Sequence, residues 1–112
     1  MPYTTLAKVK EKLRITTAEV DTMLTNIINE VDAEINAILS AYTHVPVADP
    51  LLTSVLDSIE AEWAAGLYRM LVEPQVLTTP EGQQREHVLI THARKRLDTL
   101  IQRFFAREIQ SV

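Results

Sequence analysis

Cysteine is absent from the 112 residues. Disulfides, a thiolate nucleophile and cysteine-ligated zinc are therefore excluded as ways of holding or using the fold. Glycine is nearly absent too: there are two, isolated from each other, so no glycine-rich loop exists to cradle a phosphate. No apolar run approaches the 18 residues of a membrane span, and the opening MPYTTLAKVKEKLR lacks the apolar core of a signal peptide. The expectation is a soluble, unprocessed protein with no membrane partner. Histidine is confined to His44, His87 and His92, and the last two, five apart on a helix, point to different sides. Neither HExxH nor G-x-S-x-G occurs. Carboxylates are plentiful, but nothing marks a pair held in an apolar pocket with split pKa values. The sequence thus predicts no catalytic residue, no cofactor and no metal: a protein that is not an enzyme.

What is present fits a single helical domain over residues 1–112, with 46% hydrophobic and 23% charged residues. The net charge of −4 conceals a gradient. Residues 1–64 carry four basic and ten acidic groups, whereas residues 85–112 carry six and three. An acidic front and a basic back let copies attract each other head to tail; ordinary scatter of surface charge is the competing explanation.

The longest periodic stretch is Thr16 to Tyr42. Its apolar residues Val20, Leu24, Ile27, Val31, Ile35, Ile38 and Tyr42 are spaced 4, 3, 4, 4, 3 and 4, a helix period. Ile28 and Leu39 widen the stripe to face a globular core. Thr16 and Glu19 fit a capping box at its start. This helix is expected to be the post along which everything else packs. Before it, Leu6, Val9 and Leu13 form a short amphipathic stripe behind Thr4 or Thr5 as N-cap. After it, the proline-broken connection 43–50 ends in Asp49-Pro50, an N-cap followed by proline at the first helical position.

The next helix is expected from Pro50 to Val72, with Leu52, Val55, Leu56, Ile59, Trp63, Leu67 and Met70 on its apolar face. Gly66 shares that face, which predicts a close neighbour there. The opposite side, Ser54, Ser58, Ala61 and Ala65, is small enough for a second helix contact, although solvent exposure explains it nearly as well. Residues 73–84, with Pro74, Pro80 and Gly82, read as a mobile loop. A last helix is expected from Glu86 to Glu108, its core side Ile90, Ala93, Leu97, Leu100, Ile101, Phe104 and Phe105. The fold class that follows is all-α: a short N-terminal helix plus three long helices in up-down-up order.

Arg85, His92, Arg96, Arg103 and Arg107 are spaced 7, 4, 7 and 4 along the last helix. At 100° per residue they share one stripe about 60° wide. Three readings stand: a track for nucleic-acid phosphates, a surface pairing with another subunit, or a solvated helix end where cations are favoured. Glu19, Glu30 and Glu34 on the long helix offer the complement, with Asp21 and Asp32 on the opposite shoulder. Between the shoulders Thr22, Thr25, Asn29, Asn36 and Ser40 make a neutral polar back suited to a polar partner.

The opening YTTLAKVKEKLRI, followed by Asp21, Leu24, Ile27 and Ile28 in D-x-x-L-x-x-I-I spacing, resembles the head–tail connector proteins of tailed bacteriophages. The likeness continues through Val31, Glu34 and Ile35 to Tyr42 and returns at Leu67-Tyr68-Arg69, whereas the basic C-terminal helix departs from it. Members of that family are small helical head-completion or adaptor proteins. The resemblance implies a ring of identical copies, commonly dodecameric, between the capsid portal and a tail-side connector or stopper protein. The resemblance also implies that the genome DNA passes through the channel of that ring without specific binding. It places the protein in the virion at the head–tail interface, and in the host cytoplasm during assembly. Glu19, Glu30, Glu34, Arg85, Arg96, Arg103 and Arg107 are then the candidate subunit interface. A non-enzymatic helical protein binding nucleic acid through the Arg85–Arg107 stripe is the alternative, and a helical regulatory or assembly module a third class.

Overall fold

Thr5 opens the first helix, α1 (Leu6–Leu13): its hydroxyl accepts the N–H of Lys8 at 3.2 Å and so satisfies one of the orphan donors of the first turn. The computed structural model describes residues 2–72 and 88–105. α1 stops at Arg14, which adopts a left-handed conformation (φ 59°) and returns its N–H to the carbonyls of Lys10 and Glu11. The N–H of Ile15 then reaches the Lys10 carbonyl at 2.9 Å, closing the helix end.

That exit displaces the start of the second helix. α2 runs Asp21–Leu39, not from Thr16, and the expected Thr16–Glu19 capping box does not form. Residues 15–20 make a turn in which Ile15 and Val20 pack against the core, and Val20 stands at the N-cap without a side-chain cap. Asp21 supplies charge there instead, its Oδ1 2.7 Å from Lys10 Nζ of α1 and at the end of the helix dipole that favours an anion. Glu19 consequently lies outside the helix. At the far end Ser40 Oγ donates to the Ala37 carbonyl at 2.7 Å, and Tyr42 falls in the following turn, exposed.

α3 (Pro50–Val72) starts where the Asp49-Pro50 signal places it, with Asp49 Oδ1 accepting from the N–H groups of Leu51 (2.9 Å) and Leu52 (3.3 Å). α4 covers Val88–Phe104. The expected mobile loop 73–84 and the ends of the last predicted helix, at Glu86 and Glu108, lie outside the described residues.

The post of the bundle is α3, not α2. It packs against α1, α2 and α4, and α1 also touches α2. Every residue from Ile59 to Gly66 is buried, which a helix with neighbours on all sides requires. The small side anticipated from the sequence is therefore a packing face at Ala61 and Ala65, while Ser54 stays exposed. Gly66 shows why size matters: a Cβ there would sit 2.8 Å from Ile90 Cγ1 and 3.1 Å from the Ile90 backbone nitrogen. Successive contacts Gly66–Ile90, Glu62–His92 and Ser58–Arg96 run in opposite chain directions, so α3 and α4 are antiparallel. The result is an all-α bundle in up-down-up order, with no strand among the described residues. It is flat, 48 × 36 × 18 Å, with a radius of gyration of 15.2 Å where a rounded domain of this length has about 13 Å.

Leu24, Ile27, Val31, Ile35, Leu56, Ile59, Trp63, Leu97, Leu100 and Ile101 are buried; Val20, Leu52 and Leu67 pack against them half-covered. Four residues expected on the apolar faces are not inside: Ile38, Tyr42, Val55 and Phe104. Ile38 is 38% exposed because it borders a cavity of about 180 Å³ left between α2 and α4 where both lean on α3. Phe104 is 53% exposed because its side of α4 faces an open groove, whereas Phe105, about 100° further round, is buried.

Candidate functional site

α4 presents two differently used sides. Arg94, Leu97, Asp98 and Ile101 face α2 across the small cavity that Ile38 borders. Arg94 lies 5.1 Å above the Trp63 ring and 3.8 Å from Glu34 of α2, a combination that bridges all three long helices. Residues 92, 95, 96, 99, 100 and 103 turn the other way and, with Val55 and Phe104, line a groove of about 550 Å³ along the α3–α4 edge.

The basic stripe is split by this geometry. His92 Nδ1 is 2.7 Å from Glu62 Oε1, and Arg96 donates to Ser58 Oγ at 3.1 Å with Glu62 Oε2 3.8 Å away. Glu62 is buried, so these two positions of the stripe answer a carboxylate of their own chain. Lys95 and Arg103 are exposed and form no ion pair among the described residues; Arg85 and Arg107 lie outside them. The acidic complement is split as well. Glu34 is shared with Arg94, whereas Glu19 and Glu30 are exposed and unpaired among the described residues. The structure brings together Arg96 with Glu62 and Arg94 with Glu34; it does not join Arg103 to Glu19 or Glu30 within one copy.

A second cluster was not anticipated. Tyr3 reaches across the bundle: its N–H donates to Glu60 Oε2 at 3.0 Å and its hydroxyl to Asn36 Oδ1 at 2.6 Å, while that hydroxyl accepts the Val47 N–H at 2.8 Å. Asn36 Nδ2 donates in turn to Asp32 Oδ2 at 3.3 Å. Glu60 is fully buried, and burial first, then the nearby Asp32 charge, pushes its pKa up to about 8. Glu60 Oε1 and Asp32 Oδ1 have no donor facing them, so a proton on Glu60, bonded to Asp32, joins two carboxyls that would otherwise repel. Burial also raises the Tyr3 phenol above its usual range. The sequence expectation of no apolar-pocket carboxylate pair is thus incorrect. Its one available sign was a carboxylate (Glu60) within a run of small and apolar residues, Ala61, Ala64, Ala65 and Gly66. Asn36, taken from the sequence as part of a back face for a partner, is used inside its own chain.

Glu60 is fully buried and Asp32 partly so, and their network ties the N-terminal segment down. Among the described residues no group of three or more metal-ligating side chains converges, and no helix is long and apolar enough to cross a membrane. The arrangement is one of faces: a rimmed groove on α3–α4 and an exposed acidic flank on α2.

A family model described as phage gp6-like head-tail connector protein matches residues 3–87, about three-quarters of the chain and all of α1, α2 and α3. The chain belongs to that family. Comparison with curated proteins and with solved structures gave no match. The protein is a phage structural connector, a class of part that works by holding other parts, and α4 with its groove falls for the most part beyond the matched region of the connector.

Proposed function

We propose that this connector forms a closed ring of identical copies at the head–tail junction. The ring docks under the portal and continues the channel through which the genome passes toward a tail-side connector or stopper protein. The match to the connector family over residues 3–87 carries the reading. The charge layout supports it: exposed Glu19 and Glu30 at the front of the chain and exposed Lys95 and Arg103 at the back, none in an ion pair among the described residues, are complementary between copies. Contacts of that heterologous kind close into a ring when the rotation between copies allows. A net charge of −4 suits a channel that lets phosphate pass without gripping it. Glu19, Glu30 and Arg103 carry the interface in this reading, and Arg96 and Glu34 contribute less because each has a partner at home. Assembly takes place in the host cytoplasm and the finished ring resides in the virion.

Electron microscopy of the connector mixed with its portal tests the proposal. Added density with rotational symmetry beneath the portal is expected; copies that stay single, or that leave the portal unaltered, reject it. Arg103→Glu should lower the yield of rings, and Glu30→Arg in the same chain should restore part of it.

A further inference from the structure

We propose that the groove between α3 and α4 seats the α2 helix of a second copy, entered by Met23 with Glu30 alongside. The inference builds on the ring reading and adds which two surfaces meet.

The groove has an apolar floor and a charged rim. Val55 (38% exposed), Leu100 and Phe104 (53% exposed) form the floor, and Lys95 and Arg103 stand over it. A large aromatic half in water beside two exposed cations fits an occupant that brings an apolar side chain and a carboxylate together. α2 carries that combination on one flank. Met23 is 44% exposed, and Glu30, seven residues or two turns further on, shares its side of the helix and is exposed. Seven residues span about 10 Å along a helix, and the distance from the floor residues Leu100 and Phe104 back to Lys95 along α4 is about 7–13 Å. Met23 on the floor therefore brings Glu30 to Lys95.

The α2 helix that enters is not the groove's own. Within one copy α2 lies against the side of α4 formed by Arg94, Leu97 and Asp98, while the groove opens on the other side, at Lys95, Thr99 and Arg103. Each copy thus offers a helix on one flank and a groove on another, and neither is consumed by the pairing of the other.

The absence of native cysteine gives a clean test. Met23→Cys and Phe104→Cys proteins, each singly substituted, are mixed, assembled on the portal and mildly oxidised. A mixed disulfide-linked dimer is expected, because facing residues bring their Cα atoms within about 7 Å, and the doubly substituted chain should give a ladder of linked copies. Thr99→Cys, at an exposed position beside the floor, is a second partner for Met23→Cys and gives the same product even where loss of Phe104 weakens assembly. Rings that form normally yet give only Met23→Cys homodimers, or no links with either partner, overturn the groove contact and leave the ring reading intact. Absence of any ring overturns both.

Discussion

Tyr3 and Glu60 are 57 positions apart, yet the N–H of one meets the carboxyl of the other at 3.0 Å in the interior of the bundle. The same tyrosine holds Asn36 of α2 and the backbone of Val47 in the connection before α3. One residue ahead of the first helix therefore fastens three separate stretches of chain, and the fastening depends on which protonation state Glu60 adopts.

Stability should fall with rising pH because of that carboxyl. Glu60 has its pKa raised from 4.5 to about 8 in the folded chain. Between those values the native state holds a proton that the unfolded chain has released, so the stabilisation is complete below pH 4.5, declines as pH rises to about 8 and changes no further above it. The slope is at most about 1.4 kcal/mol per pH unit and the total a few kcal/mol. Glu60→Gln keeps an acceptor for Tyr3 and a donor for Asp32 without titrating. Urea midpoints at pH 5, 6.5 and 8 should drop in the parent and stay nearly level in the variant; parallel slopes would sink the assignment.

Gly66→Ala should destabilise the connector despite alanine's better helix propensity. The propensity gain is about 1 kcal/mol. Against it, the new methyl meets Ile90 Cγ1 at 2.8 Å and the Ile90 nitrogen at 3.1 Å, and forcing α4 away from α3 costs about 1–3 kcal/mol. A thermal melt should show a lower Tm, by about 5 °C per kcal/mol of net loss. A higher Tm would mean that α4 does not approach α3 this closely.

Arg14→Gly is expected to act in the other direction. Arg14 holds a left-handed φ of 59°, which costs an L-residue about 1–2 kcal/mol and glycine almost nothing. Its α1 lies against α3 and α2, so relief at this exit should raise the stability of the whole unit by about 0.5–1 kcal/mol after glycine's larger chain entropy is counted. Chemical denaturation at fixed pH provides the measurement; an unchanged or lower midpoint refutes the strain.

Local chemistry was readable from the sequence wherever one residue type answers one backbone need. Thr5 and Asp49-Pro50 cap the helices they were expected to cap, and Gly66 marks a close neighbour. What failed was anything decided by a second element. Thr16 and Glu19 make an adequate capping box in isolation, but the left-handed turn at Arg14 and the docking of Ile15 spend those residues on a turn. Phe104 and Phe105 are adjacent on an amphipathic helix, and only the placement of the neighbouring helices decides which of them is inside. Period also misled about rank. α2 has the cleaner stripe because one of its sides meets water; α3 has neighbours all round, and its small residues blur the very periodicity that identifies a helix. Of the candidate interface, the sequence revealed the charges, while the structure alone revealed that Arg96 and Glu34 already have partners and that Met23 and Phe104 stand about half exposed.

The central position of α3 bears on how the chain is made. The helix is covered by α1 and α2, which precede it, and by α4, which follows it. A nascent chain still attached at residue 80 has Trp63 and the Ala61–Gly66 run in hand but not the helix that covers one side of them. The interior closes only once α4 has left the ribosome, so α1, α2 and α3 stay incompletely covered until the helix that follows them arrives.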